Sequence, residues 1–431
     1  MNWLRRFKHK KLTPAAVWNA ISVLVRLVAS YITNKIIVIY LGPAGTALTE
    51  QLRNFLNSVQ GLASLGINEG VINYTAQYSS RPMRLTTFLA SVYRFIMYSS
   101  IIVMLLIFLF AGLISDYLFH SRDYIFIIYA VAVFVPIYAY QFIIMAVLNG
   151  LQKYRYISVL NALTHLTGML LTALFVSKMM LTGAFLSIIL VPLLVFGMTV
   201  FLLGSESRNI LLLPLTNGKN GGHTNNFKRL YPYIFMALTT AVVVPNGNIA
   251  VRNEIIRFFG STGDIQAGYW DAIRKLSAFA FMFIVPIYNM YYLPELAQIK
   301  EARKWRRHIF EMVKHIYLPF IVFLLLLYLF KENVTVFIFS HAYDPMNALY
   351  GFQFAGDIIR MFSLLLAYKL WIDKQVNFFV FSELSYWILY YVLTVWLLPA
   401  MGLKGVLAAY IFSNIFYLIL LSFKYGKTIL N

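Results

Sequence analysis

Counting from Thr46, the residues Glu50, Arg53, Asn57, Gln60, Ser64 and Asn68 follow at spacings of 4, 3, 4, 3, 4 and 4 through an otherwise apolar stretch. Those steps bring side chains onto one face of an α-helix. About 220 positions later, Asp271 and Arg274 repeat the acid-x-x-Arg step of Glu50 and Arg53. Each such group costs roughly 2.5–3.5 kcal/mol at the centre of a bilayer on insertion scales, so the stripe belongs in a wet interior and not against lipid. Within the apolar segments the cations are Arg26, Lys35, Arg53, Arg94, Arg252, Arg257, Arg274, Lys275 and Arg360, and the acids are Glu50, Glu69, Glu254, Asp271, Asp357 and Glu383. Cations are in surplus. A cavity with surplus guanidinium attracts anions, and the planar fork of Arg suits phosphate in particular.

Several of these residues admit a second, purely structural reading. Glu50 with Arg53, Asp271 with Arg274, and Asp357 with Arg360 are i,i+3 pairs that can satisfy each other within one helix. Lys35, Arg257 and Lys275 fall near helix ends, and Arg94 early in its span, where long cations reach the headgroups. Arg26 has no acid three or four positions away and admits no such account. His165 has no second histidine or carboxylate at ligand spacing, which fits a hydrogen-bonded packing role.

The elements that must position these groups are membrane helices. Of 431 residues, 60% are apolar and 12% charged, and the mean hydropathy is +0.71. A span takes about 20 apolar residues. Twelve are predicted, at 15–40, 44–72, 85–115, 124–149, 156–178, 182–203, 231–252, 264–292, 309–330, 348–371, 376–398 and 403–423. The net charge of +20 is carried by alternate loops, on the side of both termini, which the positive-inside rule makes cytoplasmic. That distribution argues against nucleic acid as a partner. The chain has no cysteine, which excludes disulfides and thiolate metal sites.

The longest loop, 204–230, contains Asn217-Gly218-Lys219-Asn220-Gly221-Gly222, the composition of a flexible linker. It divides a basic N-terminus (1–14) and an N-lobe of six helices (15–203) from a C-lobe of six helices (231–423) and a short C-terminus (424–431). Weak internal matches keep a common offset: Asn34-Lys35-Ile36-Ile37 with Asn253-Glu254-Ile255-Ile256, and Ala76-Gln77 with Ala297-Gln298. Such halves are parallel repeats about an axis along the membrane normal. Gly42-Pro43-Ala44-Gly45 joins helices one and two too tightly to separate their polar faces. Pro245-Asn246-Gly247-Asn248 is expected to break or kink helix seven. No phosphate-cradling loop, HExxH motif or large aqueous segment points to an enzyme.

The chain resembles the Wzx group of polysaccharide-export flippases, which includes the enterobacterial common antigen and O-antigen translocases. The resemblance rests on Trp18, Leu41-Gly42-Pro43-Ala44-Gly45, Arg53, Tyr74-Thr75-Ala76-Gln77-Tyr78, Tyr292-Leu293-Pro294, the run Phe352 to Arg360, and Glu383-Leu384-Ser385. It implies an all-α membrane protein with the multidrug/oligosaccharidyl-lipid/polysaccharide (MOP) exporter fold, two six-helix lobes around a central cavity. It further implies an inner-membrane flippase for an undecaprenyl-pyrophosphate-linked oligosaccharide, working without ATP. Membrane lipids, a polysaccharide polymerase and a chain-length regulator are the implied partners. No cofactor is expected, and the membrane potential, H⁺ or Na⁺ are the candidate energy sources. On this reading Arg26, Arg53, Arg252 and Arg274 hold the pyrophosphate. Lys35, Glu50, Asn57, Gln60, Asn68, Asp271, Lys275, Asp357, Arg360 and Glu383 contact the sugars or gate the path. A cation-coupled multidrug exporter and a membrane polymerase or glycosyltransferase are the alternatives.

Overall fold

The computed structural model describes residues 14–203, 224–287, 310–373 and 375–430. The linker centre, the basic N-terminus and the Tyr292-Leu293-Pro294 motif lie outside them. Among the described residues every long element is a helix: α1 (14–41), α2 (43–64), α3 (Asn68–Tyr78), α4 (Pro82–Leu109), α5 (Ala111–Phe119), α6 (Ile125–Gly150), α7 (154–179) and α8 (181–202). They continue as α9 (Thr224–Phe259), α10 (Gly263–Ile287), α11 (Phe310–Leu329), α12 (Lys331–Ile338), α13 (Tyr350–Ile372), α14 (Val376–Met401) and α15 (Leu403–Leu430). In hydrocarbon a backbone has no water to bond, so helices that satisfy themselves are the stable choice for so apolar a chain.

Three apolar helical stretches run for 44, 49 and 49 residues, more than twice what a hydrocarbon core of about 30 Å requires. Each is interrupted, at Gly42, Met180 and Gly260, and so supplies two spans. With those breaks the predicted twelve spans correspond to α1, α2 with α3, α4, α6, α7, α8, α9, α10, α11, α13, α14 and α15.

The breaks share one design. Gly42, Met180, Gly260 and Gly402 all have φ between +50° and +62°, and each is followed three residues later by Gly45, Gly183, Gly263 or Gly405. The first position needs a conformation that a Cβ disfavours. The second lies where a Cβ would overlap the preceding helix, for instance the Phe175 carbonyl at Gly183 or the Leu397 carbonyl at Gly405. The four turns fall into two pairs about 220 positions apart. A third pair follows the same offset, where α4 and α11 pass through Phe110 (φ −105°, ψ 14°) and Phe330 (φ −101°, ψ 22°) into short helices. The repeat read from scattered side chains is therefore also a repeat of backbone geometry.

Two expectations need correction. Of the break or kink expected at Pro245-Asn246-Gly247-Asn248, the break is absent: helix α9 runs unbroken through it, and the Asn246 side chain donates back to the Val242 carbonyl at 2.8 Å. The stripe is also not one face of one helix. After Ser64 the chain turns through Leu65 and Gly66, both at positive φ, so Asn68 opens a different helix.

The chain packs as two compact units. Unit 1 is Met1–Tyr40 with Val59–Ile234, and unit 2 is Leu41–Ser58 with Phe235–Asn431. In unit 1, α6 packs against α3, α4 and the α7–α8 pair around Leu89, Val92, Ile127, Val131 and Ile143. In unit 2, α13 and α14 pack on α15 around Met361, Leu370, Tyr386 and Leu407. Outward-facing apolar residues such as Leu24, Leu109, Trp396 and Phe423 stay exposed, as lipid contact requires.

Met180 is the one member of the four turns with a Cβ at the strained position (φ 50°, ψ −125°). Such conformations cost of order 1–3 kcal/mol, part of which is offset by the entropy glycine loses on folding. Met180→Gly should therefore stabilise the protein by about 1 kcal/mol, read as a rise in the thermal unfolding midpoint in detergent. A lower midpoint would show that the turn is not strained there.

Candidate functional site

The charged residues of unit 2 converge where the segment 41–58 meets α9 and α10. This segment is held by polar contacts. Gln51 donates to Asn253 Oδ1 at 2.7 Å and accepts from Arg252 Nη1, and Asn246 donates to Ser58 at 2.8 Å. Thr46 shares a hydrogen bond with Tyr343 at 2.6 Å. Gly268 on α10 allows the contact, because any Cβ there would overlap the backbone of Pro43. In a membrane, small residues of this kind let helix backbones approach closely.

Arg252 and Asp271 form the innermost pair. Arg252 Nε and Nη2 each reach an Asp271 oxygen at 2.7 Å, a fork-to-carboxylate arrangement. Their side chains are 1% and 3% exposed, and the Trp270 ring lies 5.5 Å from the guanidinium. Arg252, expected among the pyrophosphate ligands, is thus an internal counter-ion with its donors committed to Asp271 and Gln51.

Around this closed pair lies a more open set. Glu50 Oε1 contacts Lys275 Nζ at 3.0 Å and Arg53 Nε at 3.5 Å. Arg274 stacks on Trp270 at 4.4 Å and comes only within 3.9 Å of Asp271. In both halves of the repeat, then, the acid prefers a partner on a neighbouring helix to the Arg three residues along its own. Side-chain exposure rises to 41% at Arg53, 30% at Arg274, 21% at Glu50 and 19% at Lys275, so these four can be reached by a ligand.

A second polar cluster sits deeper in unit 2. Asp357 accepts from Gln353 at 3.0 Å, from Tyr410 at 3.1 Å and from Ser277. Arg360 lies over the Tyr386 ring at 5.3 Å, and Glu383 accepts from Tyr417 at 2.7 Å. Asp357 and Glu383 are buried, and hydroxyl and amide donors supply their bonds. Asn57 is exposed at the end of the unit 2 segment. Gln60, Asn68 and Lys35 are half-buried and Arg26 exposed in unit 1. The structure therefore brings Glu50, Arg53, Arg252, Asp271, Arg274 and Lys275 together, with Asp357, Arg360 and Glu383 in a cluster of their own. Gln51, Asn253, Trp270 and Tyr343 were missed because they lie off the polar stripe. Gln51 is a buried neighbour of Glu50 turned about 100° round the helix.

No family model matches the chain. It is 26% identical over 410 residues to the Lipid III flippase of Escherichia coli (strain K12), covering 94% of this chain and 96% of that protein, and matches the Lipid III flippase of Shigella flexneri equally. Among solved structures it is similar to the Lipid II flippase MurJ in an inward closed conformation (TM-score 0.69, 14% identity, 96% of this chain and 89% of that one). It is also similar to an inward-facing multidrug resistance MATE family transporter of the MOP superfamily (TM-score 0.66, 13% identity, 94% and 98%). The fold is that of the MOP superfamily. The chain is an integral membrane protein, with apolar helices long enough to cross a bilayer.

Removing one partner of a buried ion pair leaves an uncompensated charge, at roughly 3–5 kcal/mol. Arg252→Met and Asp271→Leu should each destabilise by that order, and the double variant should recover most of it. Chemical unfolding of the four forms in detergent gives the coupling. Additive losses would mean the two groups do not act as a pair.

Proposed function

We propose that this protein is a flippase that carries an undecaprenyl-pyrophosphate-linked oligosaccharide, an O-antigen or enterobacterial common antigen repeat unit, from the cytoplasmic to the periplasmic leaflet by alternating access. The observation that carries the reading is the reachable cationic cluster of Arg53, Arg274 and Lys275 around a single Glu50. The MOP fold and the likeness to a Lipid III flippase over nearly the whole chain support it. Two phosphates offer several acceptor oxygens, and guanidinium forks and an ammonium bind them with charge-assisted bonds. Arg26 enters the same reading as the cation of α1, and Asn57, Gln60 and Asn68 as sugar contacts.

In this reading Arg252 and Asp271 position the site and do not touch the headgroup. The polyprenyl tail stays in lipid throughout, in a bacterial inner membrane with both termini cytoplasmic. Moving a negative headgroup outward across an inside-negative membrane gains roughly 2.3 kcal/mol per uncompensated charge per 100 mV. A periplasmic polymerase and its chain-length regulator would consume the product.

Deleting the gene and following lipid-linked oligosaccharides by mass spectrometry tests the proposal. The expected outcome is a pyrophosphate-linked oligosaccharide trapped in the cytoplasmic leaflet, with export restored by the native gene and reduced at least tenfold by Arg53→Glu or Arg26→Glu. Normal export by both variants, correctly inserted, would overturn the cationic site. One observation favours a cation-coupled multidrug exporter: the buried carboxylates Asp357 and Glu383 in a fold shared with MATE transporters. Efflux of a cationic dye by the native protein, lost on Asp357→Asn, would point there.

A further inference from the structure

Trp270 is the largest fully buried side chain among the described residues, and two guanidinium groups share its ring. Arg252 lies 5.5 Å from the ring centroid and Arg274 lies 4.4 Å from it. The two arginines differ in what else they hold. Arg252 spends its donors on both oxygens of Asp271 and on Gln51. Arg274 donates no hydrogen bond among the described residues. The one acid among them within 4 Å of it is Asp271, at 3.9 Å, and both oxygens of that carboxylate already accept from Arg252.

The internal repeat supplies a comparison. At the offset that relates Glu50 to Asp271 and Arg53 to Arg274, Thr49 stands in the place of Trp270. Thr49 turns its hydroxyl to the Thr46 carbonyl at 2.9 Å and offers no ring. Arg53, with no ring beneath it, leans toward its own acid and brings Nε to 3.5 Å from Glu50. Arg274, with an indole in reach, lies over that indole and stays farther from Asp271. A ring face attracts a cation through its quadrupole, most strongly for indole, and contains no acceptor atom. A guanidinium held by such a face keeps its fork of N–H donors for other partners.

We propose that Trp270 is a positioning residue for anion binding: it holds the Arg274 guanidinium over its ring and off Asp271, so that the donor fork is kept for two oxygens of a phosphoryl group. This rests on the anion-binding reading above and states how one of its ligands is kept available. Trp270 is fully buried and does not touch the anion itself. Without the ring, the natural partner of Arg274 is the acid three residues back on its own helix. It would then compete with Arg252 for Asp271, and its fork would be spent inside the protein. The closed pair and the open arginine are thus joined through one side chain. Arg252, fixed by Asp271 and Gln51, lies against the same indole that holds Arg274.

The probe is farnesyl pyrophosphate, titrated by microcalorimetry at neutral pH against the protein in an uncharged detergent. Four forms make a double-mutant cycle: native, Trp270→Leu, Arg274→Gln and the two together. Trp270→Leu should weaken binding about fivefold in the native background, in line with a partly desolvated cation–π contact. With Arg274→Gln already present, the same change should alter affinity by no more than roughly twofold, because the group it positions is gone. Trp270→Phe keeps a ring face and should lose less than Trp270→Leu. Should Trp270→Leu fail to fold, fluorinated tryptophans placed at position 270 by stop-codon suppression weaken the quadrupole at nearly constant size. Affinity should then fall stepwise with fluorination, and only while Arg274 is present. An equal loss on Trp270→Leu in both backgrounds, or no response to fluorination, would overturn the positioning role and leave the anion site standing. Native affinity retained by Arg274→Gln would do the same. If the native protein does not bind farnesyl pyrophosphate at all, the anion site itself is wrong and this inference falls with it.

Discussion

Arg252 and Asp271 meet through two hydrogen bonds of 2.7 Å in surroundings that leave neither side chain more than 3% exposed. A charge in such a place persists only if it brings its counter-charge and fills its remaining bonds. The Gln51 carbonyl takes the guanidinium donor that Asp271 leaves over. Residues 41–58, though flanked in sequence on both sides by unit 1, pack within unit 2, and this bond is one of the polar contacts that hold them there. The same constraint grades the cluster. Where exposure is nearly nil the charges close on one another. Where it rises, at Arg53 and Arg274, the ion pairs lengthen to 3.5 and 3.9 Å.

The spans were legible because hydrocarbon imposes a length and an apolar content on every crossing helix. Boundaries agree to within a few residues at α6, α8 and α14. The site was legible as far as polarity is a signal: Glu50, Arg53, Asp271 and Arg274 announce themselves in an apolar run. Their pairing was not. Spacing along one helix suggests i,i+3 partners, whereas Lys275 and Arg252 reach the acids from helices that are distant or separately turned in sequence. The stripe misled at its far end, because Leu65 and Gly66 turn the chain and periodicity assumes one continuous helix. The Pro245 segment misled in the opposite sense. A proline removes one donor, and a membrane helix can continue past that loss.

The repeat is recorded more faithfully in the turns than in the side chains. Charges in the two halves have diverged, so that Glu50 answers to Lys275 while Asp271 answers to Arg252. The positive-φ residue and the glycine three positions on recur in four places, because the backbone conformation and the close approach have few substitutes.

Those turns bear on how the chain enters a membrane at all. Joined through so few residues, α7 with α8, α9 with α10 and α14 with α15 have almost no polar connecting backbone to carry through lipid. Each pair can be inserted as one closed hairpin, its two arms sheltering each other's polar residues before the rest of the protein exists. A helix such as α10, too polar to enter hydrocarbon alone, would then cross in the company of α9, whose Arg252 meets its Asp271, and the tight glycine turn would serve assembly before it serves the finished protein.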